Sequence, residues 1–164
     1  MTRLRLALLV SMMVACRTPE PAVLTPEIRA GVVEAVTTAM QGYAAAFPTR
    51  DADAITAFYL NDPDFRTYFD GTVSTYTEMV AMVRGMMGGL RSVEGAFENI
   101  QVSVLGPTAA VATSPFRDVL VDTAGVTTRL KGVVSWTWVQ RPEGWRIIHG
   151  NAIHVPDTTA AVSH

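Results

Sequence analysis

Residues 144–154, GWRIIHGNAIH, place two imidazoles and a carboxamide in a run whose other members suit a buried strand. An imidazole titrates near neutrality and can serve as a general acid or base, while a carboxamide orients a ligand through donors and an acceptor. The two-residue period of a strand puts Trp145, Ile147, His149, Asn151 and Ile153 on one face. Arg146, Ile148, Gly150, Ala152 and His154 fall on the other. His149 and Asn151 are therefore expected on the apolar face, either as ligand contacts or as core groups satisfied by a tyrosine hydroxyl or a backbone carbonyl. His154 is expected on the opposite face, exposed or at a dimer edge.

Other chemistries find little support. His149 and His154 differ in parity, His164 is terminal, and there is neither an HExxH pattern nor a cysteine pair, so no metal site is expected. Ser114 and Ser135 lack a nucleophile-elbow glycine pattern. Gly85, Gly88 and Gly89 lie in or at the end of an expected helix without the lysine of a phosphate loop, and no cofactor is expected. A single lysine, Lys131, and the absence of a basic cluster argue against nucleic acid. Arg117 and Asp118 alternate in a middle strand, so one of them points inward. They form either a rim ion pair or an anion contact at a cavity mouth.

The elements that hold these residues follow from periodicity. Thr25, Pro26 and Glu27 start a helix, and Val32, Val36, Met40 and Tyr43 recur at helical spacing to about Phe47. A shorter helix after Pro48 and Thr49 turns Ile55, Phe58 and Tyr59 inward. Asp70-Gly71 between β-branched and aromatic residues marks a hairpin. Helical spacing returns over residues 75–90 with a methionine stripe, read as core filling. Four long strands are then expected, over 95–105, 108–121, 126–140 and 144–155. With a loop over residues 141–144, Gln140 faces Trp145, Trp138 faces Ile147, Trp136 faces His149 and Val134 faces Asn151. Helices first and antiparallel strands afterwards make the class α+β.

The chain of 164 residues, 49% hydrophobic, suits one domain. Arg3 and Arg5 precede an apolar run from Leu6 to Val14, too short for a bilayer span, which reads as a signal peptide over residues 1–15. Met13-Val14-Ala15-Cys16 resembles the bacterial lipobox, which implies lipidation of Cys16, the sole cysteine. Residues 16–25 then form a tether, 26–156 the domain and 157–164 a tail. The formal net charge of −2 becomes more acidic once the two signal arginines are removed. The expected location is the bacterial cell envelope, anchored by lipid to the outer membrane and facing the periplasm.

With that order of elements, GWRIIHGN resembles the last strand of the nuclear transport factor 2-like superfamily, which includes SnoaL-like cyclases and ketosteroid isomerases. YAAAFPTRDADAITAFYLNDPDF resembles its first helical pair. The resemblance spans about Pro26 to Val155 and implies a cone, in which a strongly curved antiparallel sheet wraps N-terminal helices around a cavity. It implies Tyr43, Tyr59, Trp136, His149 and Asn151 near that cavity, and sheet-to-sheet homodimers in many members. In the isomerases a tyrosine of the first helix stabilises an oxyanion and an aspartate abstracts a proton. Ungapped alignment keeps Tyr43 but puts the aspartate's position on Thr67, which cannot act as a base. A shifted register would reach Asp64 or Asp70, though the turn better explains Asp70. The leading expectation is a lipoprotein that binds a small, mainly apolar molecule. The alternatives are a dehydratase, cyclase or isomerase using His149, and a non-catalytic dimerisation or docking module.

Overall fold

A computed structural model describes residues 23–158 of the chain. The signal, Cys16, most of the expected tether and residues 159–164 lie outside the described residues. Helix α1 (Pro26–Ala46) begins where the Thr25 side chain accepts from the amide of Ile28 and Pro26 occupies the first turn. Val32, Val36, Met40 and Tyr43 form its buried stripe. A 3-10 turn (Phe47–Thr49) leads to the short helix α2 (Ala52–Thr56), capped by Asp51. Strands β1 (Arg66–Phe69) and β2 (Thr72–Ser74) then form a hairpin around Asp70 and Gly71, whose φ values of 48° and 86° suit the Asp-Gly turn. Helix α3 (Tyr76–Gly89) starts with a reciprocal capping box between Thr75 and Glu78. It buries Met79, Val83 and Met87, whereas Met82 and Met86 stay partly exposed and line a cavity. The methionine stripe is thus core on one side only.

The expected strand over 95–105 is two strands, β3 (Leu90–Phe97) and β4 (Gln101–Gly106), because the chain turns at Asn99, φ 48°. Strands β5 (Ala109–Asp122), β6 (Thr127–Arg141) and β7 (Gly144–Pro156) complete a sheet of order β2-β1-β7-β6-β5-β3, with β4 also on β5. The β1–β7 pairing is parallel and the others are antiparallel. One edge of β5 carries β4 along Ala109–Thr113 and β3 along Phe116–Asp122. At the corner between them Ser114 Oγ donates to the Glu98 carbonyl at 2.6 Å. The result is an α+β fold with a curved, unclosed sheet wrapped over α1, as expected.

The register of the last hairpin corrects the sequence reading. Gln140 faces Trp145 and Trp138 faces Ile147, as expected, but Trp136 faces Gly150 and Val134 faces Ala152. Ile148 is the extra residue of a bulge, which resets the strand's parity. Gly150, Ala152 and His154 therefore turn inward, and His149 and Asn151 turn outward and are exposed. Two contacts account for the reset. The backbone of Ile147 is held on its other side, its N–H donating to Phe58 O and its carbonyl accepting from Leu60 N, each at 2.8 Å. From His149 onward β7 pairs instead with β1. The ring of Trp136 also lies over Gly150, where a Cβ would overlap it.

Candidate functional site

The inner face of the sheet and the helices enclose a cavity of about 650 Å³. Aromatic and aliphatic groups, among them Phe97, Phe116, Leu120, Val134 and Trp136, make most of its wall. A volume of this order holds a small organic molecule and buries most of its surface. Tyr43 from α1 and Tyr59, just after α2, line the buried part, and their hydroxyls hydrogen-bond at 2.7 Å. Burial pushes both phenols upward in pKa, Tyr43 well above its ordinary value, so both are neutral donors at physiological pH. One hydroxyl hydrogen serves the pair, which leaves the other free for a ligand.

Three titratable groups complete the lining: Asp70, Asp118 and His154. Asp70 sits in the β1–β2 turn and accepts from the His154 backbone N–H at 2.8 Å, while its other oxygen lies 3.0 Å from His154 Nδ1. The backbone hydrogen bond holds the Asp70 carboxyl below its ordinary range against the opposing effect of burial, with lesser help from the charge and hydrogen bond of the His154 ring. His154 is half-buried, with its ring edge-on to Phe69 and Phe116. Asp118 projects inward from β5 opposite Gly95 of β3, and burial raises it to about 6, with His154 acting in the opposite direction. Its neighbour Arg117 points outward to Glu98 and Asp157 at 3.0 and 2.7 Å. The inward member of that charged pair is thus a carboxylate, not an anion contact.

Of the residues expected at the cavity, Tyr43, Tyr59 and Trp136 line it; His149 and Asn151 do not. His149 lies on the outer face against Tyr68, with ring centroids 5.3 Å apart. His154, expected outside, takes the inward place. Thr67, the position aligned with the isomerase base, is buried and off the cavity lining. The sequence reading missed the Asp70–His154 pair. The available signal was steric: a glycine and an alanine at 150 and 152 fit under Trp136 and Val134 better than an imidazole and a carboxamide. Among the described residues no His, Cys, Asp and Glu side chains cluster so as to hold a metal ion.

Comparison with known proteins agrees with this architecture. Residues 29–151 match the family model of the SnoaL-like domain. Among solved structures, a protein of Novosphingobium aromaticivorans provisionally named scytalone dehydratase is similar at a TM-score of 0.73 and 15% identity, over 80% of this chain and 89% of that one. A nuclear transport factor 2-like superfamily protein from Salmonella enterica superposes at 0.70 with 18% identity, over 83% and 99% of the two chains. A hexachlorocyclohexane dehydrochlorinase superposes at 0.66 with 8% identity, over 80% and 93%. Identities this low speak to the fold alone. No curated protein matches the sequence significantly.

Proposed function

This chain belongs to the SnoaL-like family, and on that footing we propose that its cone binds a small, mainly apolar molecule. The observation that carries this reading is the 650 Å³ cavity, apolar over most of its wall, with Tyr43, Tyr59, Asp70, Asp118 and His154 among its polar contacts. Apolar walls supply affinity and a few polar groups fix orientation. Native mass spectrometry of the protein purified from its own cells tests it. A co-purifying small molecule, lost when Val134→Trp fills the cavity, is the expected result. An empty cone that takes up no apolar fluorescent probe would refute it.

One observation favours catalysis in the same pocket. With Asp70 engaging Nδ1, the other nitrogen of His154 is free to take a proton from a bound molecule, and a tyrosine hydroxyl is available to an oxygen that gains charge. The reaction class is proton abstraction followed by elimination or isomerisation, with His154 in the role the sequence suggested for His149. Kemp elimination of a nitrobenzisoxazole probes such a base without knowledge of the natural substrate. The expected rate is above that of free imidazole and falls by roughly 100-fold in His154→Gln. Equal rates in the two proteins would leave binding alone.

The envelope assignment rests on the Arg3/Arg5 charge, the short apolar run and Ala15-Cys16. No helix among the described residues is long and apolar enough to cross a membrane. In a bacterial host, Cys16→Ser should move the protein from the membrane to the soluble fraction and abolish its labelling by fatty acid. Pairing of two copies, outer sheet face to outer sheet face, fits the exposure of Val133, Ile153 and Tyr68 there.

A further inference from the structure

The polar groups of the cavity are unevenly matched in charge. Asp70 is engaged by the backbone and the ring of His154, so any positive charge on that imidazole already has its counter-charge. The Asp118 carboxyl makes no hydrogen bond among the described residues, and His154 acts on it only through charge. Its carboxylate lies across Gly95, close enough that a Cβ there would collide with it, so the missing side chain makes its place. No lysine or arginine lines the cavity. The lining thus presents one carboxylate without a hydrogen-bond donor in a mainly apolar wall, and no lysine or arginine to neutralise a second one.

Resting on the pocket reading above, we infer that the cone selects molecules whose head group donates hydrogen bonds, a protonated amine or an alcohol, and rejects carboxylates, with Asp118 deciding between them. A donor head group satisfies the lone pairs of Asp118, and a cationic one also gains its charge. An anionic head group would bring two like charges together where water is scarce, which is unfavourable at the low effective dielectric of such a site. Asp118 is thus a specificity determinant outside the hydrogen-bonded His154–Asp70 pair.

Fluorescence titration with pyrenylmethylammonium, pyrenylmethanol and pyrenecarboxylate at about pH 7.5, where amine and carboxylate are both charged, tests the ranking. The expected order is amine, alcohol, carboxylate, with the first and last separated by at least ~30-fold. Asp118→Asn should weaken the amine and tighten the carboxylate, each by about tenfold, while moving the alcohol by less than about threefold. Carboxylate binding in the parent protein as tight as that of the amine overturns the inference, even if the variant does not fold. An unchanged ranking in folded Asp118→Asn overturns it too. If the alcohol fails to bind at all, the pocket reading falls first and takes the inference with it.

Discussion

At Gly150 the absence of a side chain decides where Trp136 rests, and through it which groups face the cavity. Gly150→Ala should cost about 1–3 kcal/mol by overpacking, seen as a lower denaturation midpoint; a midpoint equal to the parent's would mean that the ring is not seated there. Because His149 and Asn151 are exposed on the outer face, His149→Ala and Asn151→Leu should leave the affinity for an apolar fluorescent probe within about twofold. A large loss in either would bring them back to the site. Asp118 makes stability depend on pH in a definite direction. Its folded pKa of about 6 lies above the ordinary 3.8, so its favourable contribution is complete below 3.8 and is lost as pH rises through 6. Denaturant midpoints of the parent, measured against Asp118→Asn at pH values on either side of that window, should fall relative to the variant as pH rises. A constant difference would count against a buried, unpartnered carboxyl.

At the scale of elements, helix starts and turns were legible because their causes are local. The Thr25 cap with Pro26 and the Asp70-Gly71 turn appear where residue types predict them, and the helix expected from residue 75 starts with a Thr75–Glu78 box. Thr75→Ala should therefore destabilise the protein by about 1 kcal/mol through loss of the α3 cap, as read by thermal unfolding. The bulge at Ile148 has no comparable local mark. It arises because two different neighbours, the backbone around Tyr59 and then β1, pair with one edge of β7. Strand parity read from the Trp145 end therefore holds to Ile147 and inverts from His149.

For the molecule as a whole, the pairing of two copies proposed above would use the outer sheet face, where exposed apolar groups lie together. Val133 and Ile153 face one another across β6 and β7 at 49% and 61% exposure, beside Tyr68. Paired glutamates, Val133→Glu with Ile153→Glu, should convert a dimer to a monomer in sedimentation while leaving the far-ultraviolet circular dichroism unchanged. A parent protein that sediments as a monomer at micromolar concentration would remove the case for sheet-to-sheet pairing.

Periodicity and capping, which are short-range properties, determined from the sequence alone the α+β class, the order of elements apart from the division of β3 from β4, and the inward placement of Tyr43, Tyr59 and Trp136, while the curvature of the sheet followed from the family resemblance. Tertiary contacts decided the rest. Which of two histidines enters the cone depends on one unpaired residue, and that residue is unpaired because of strands distant in sequence. The union of His154 with Asp70, 84 residues apart, is likewise a product of the parallel β1–β7 pairing and not of any motif. A two-residue period carries no memory past an interruption, so only the packed sheet could set the chemistry of the cavity.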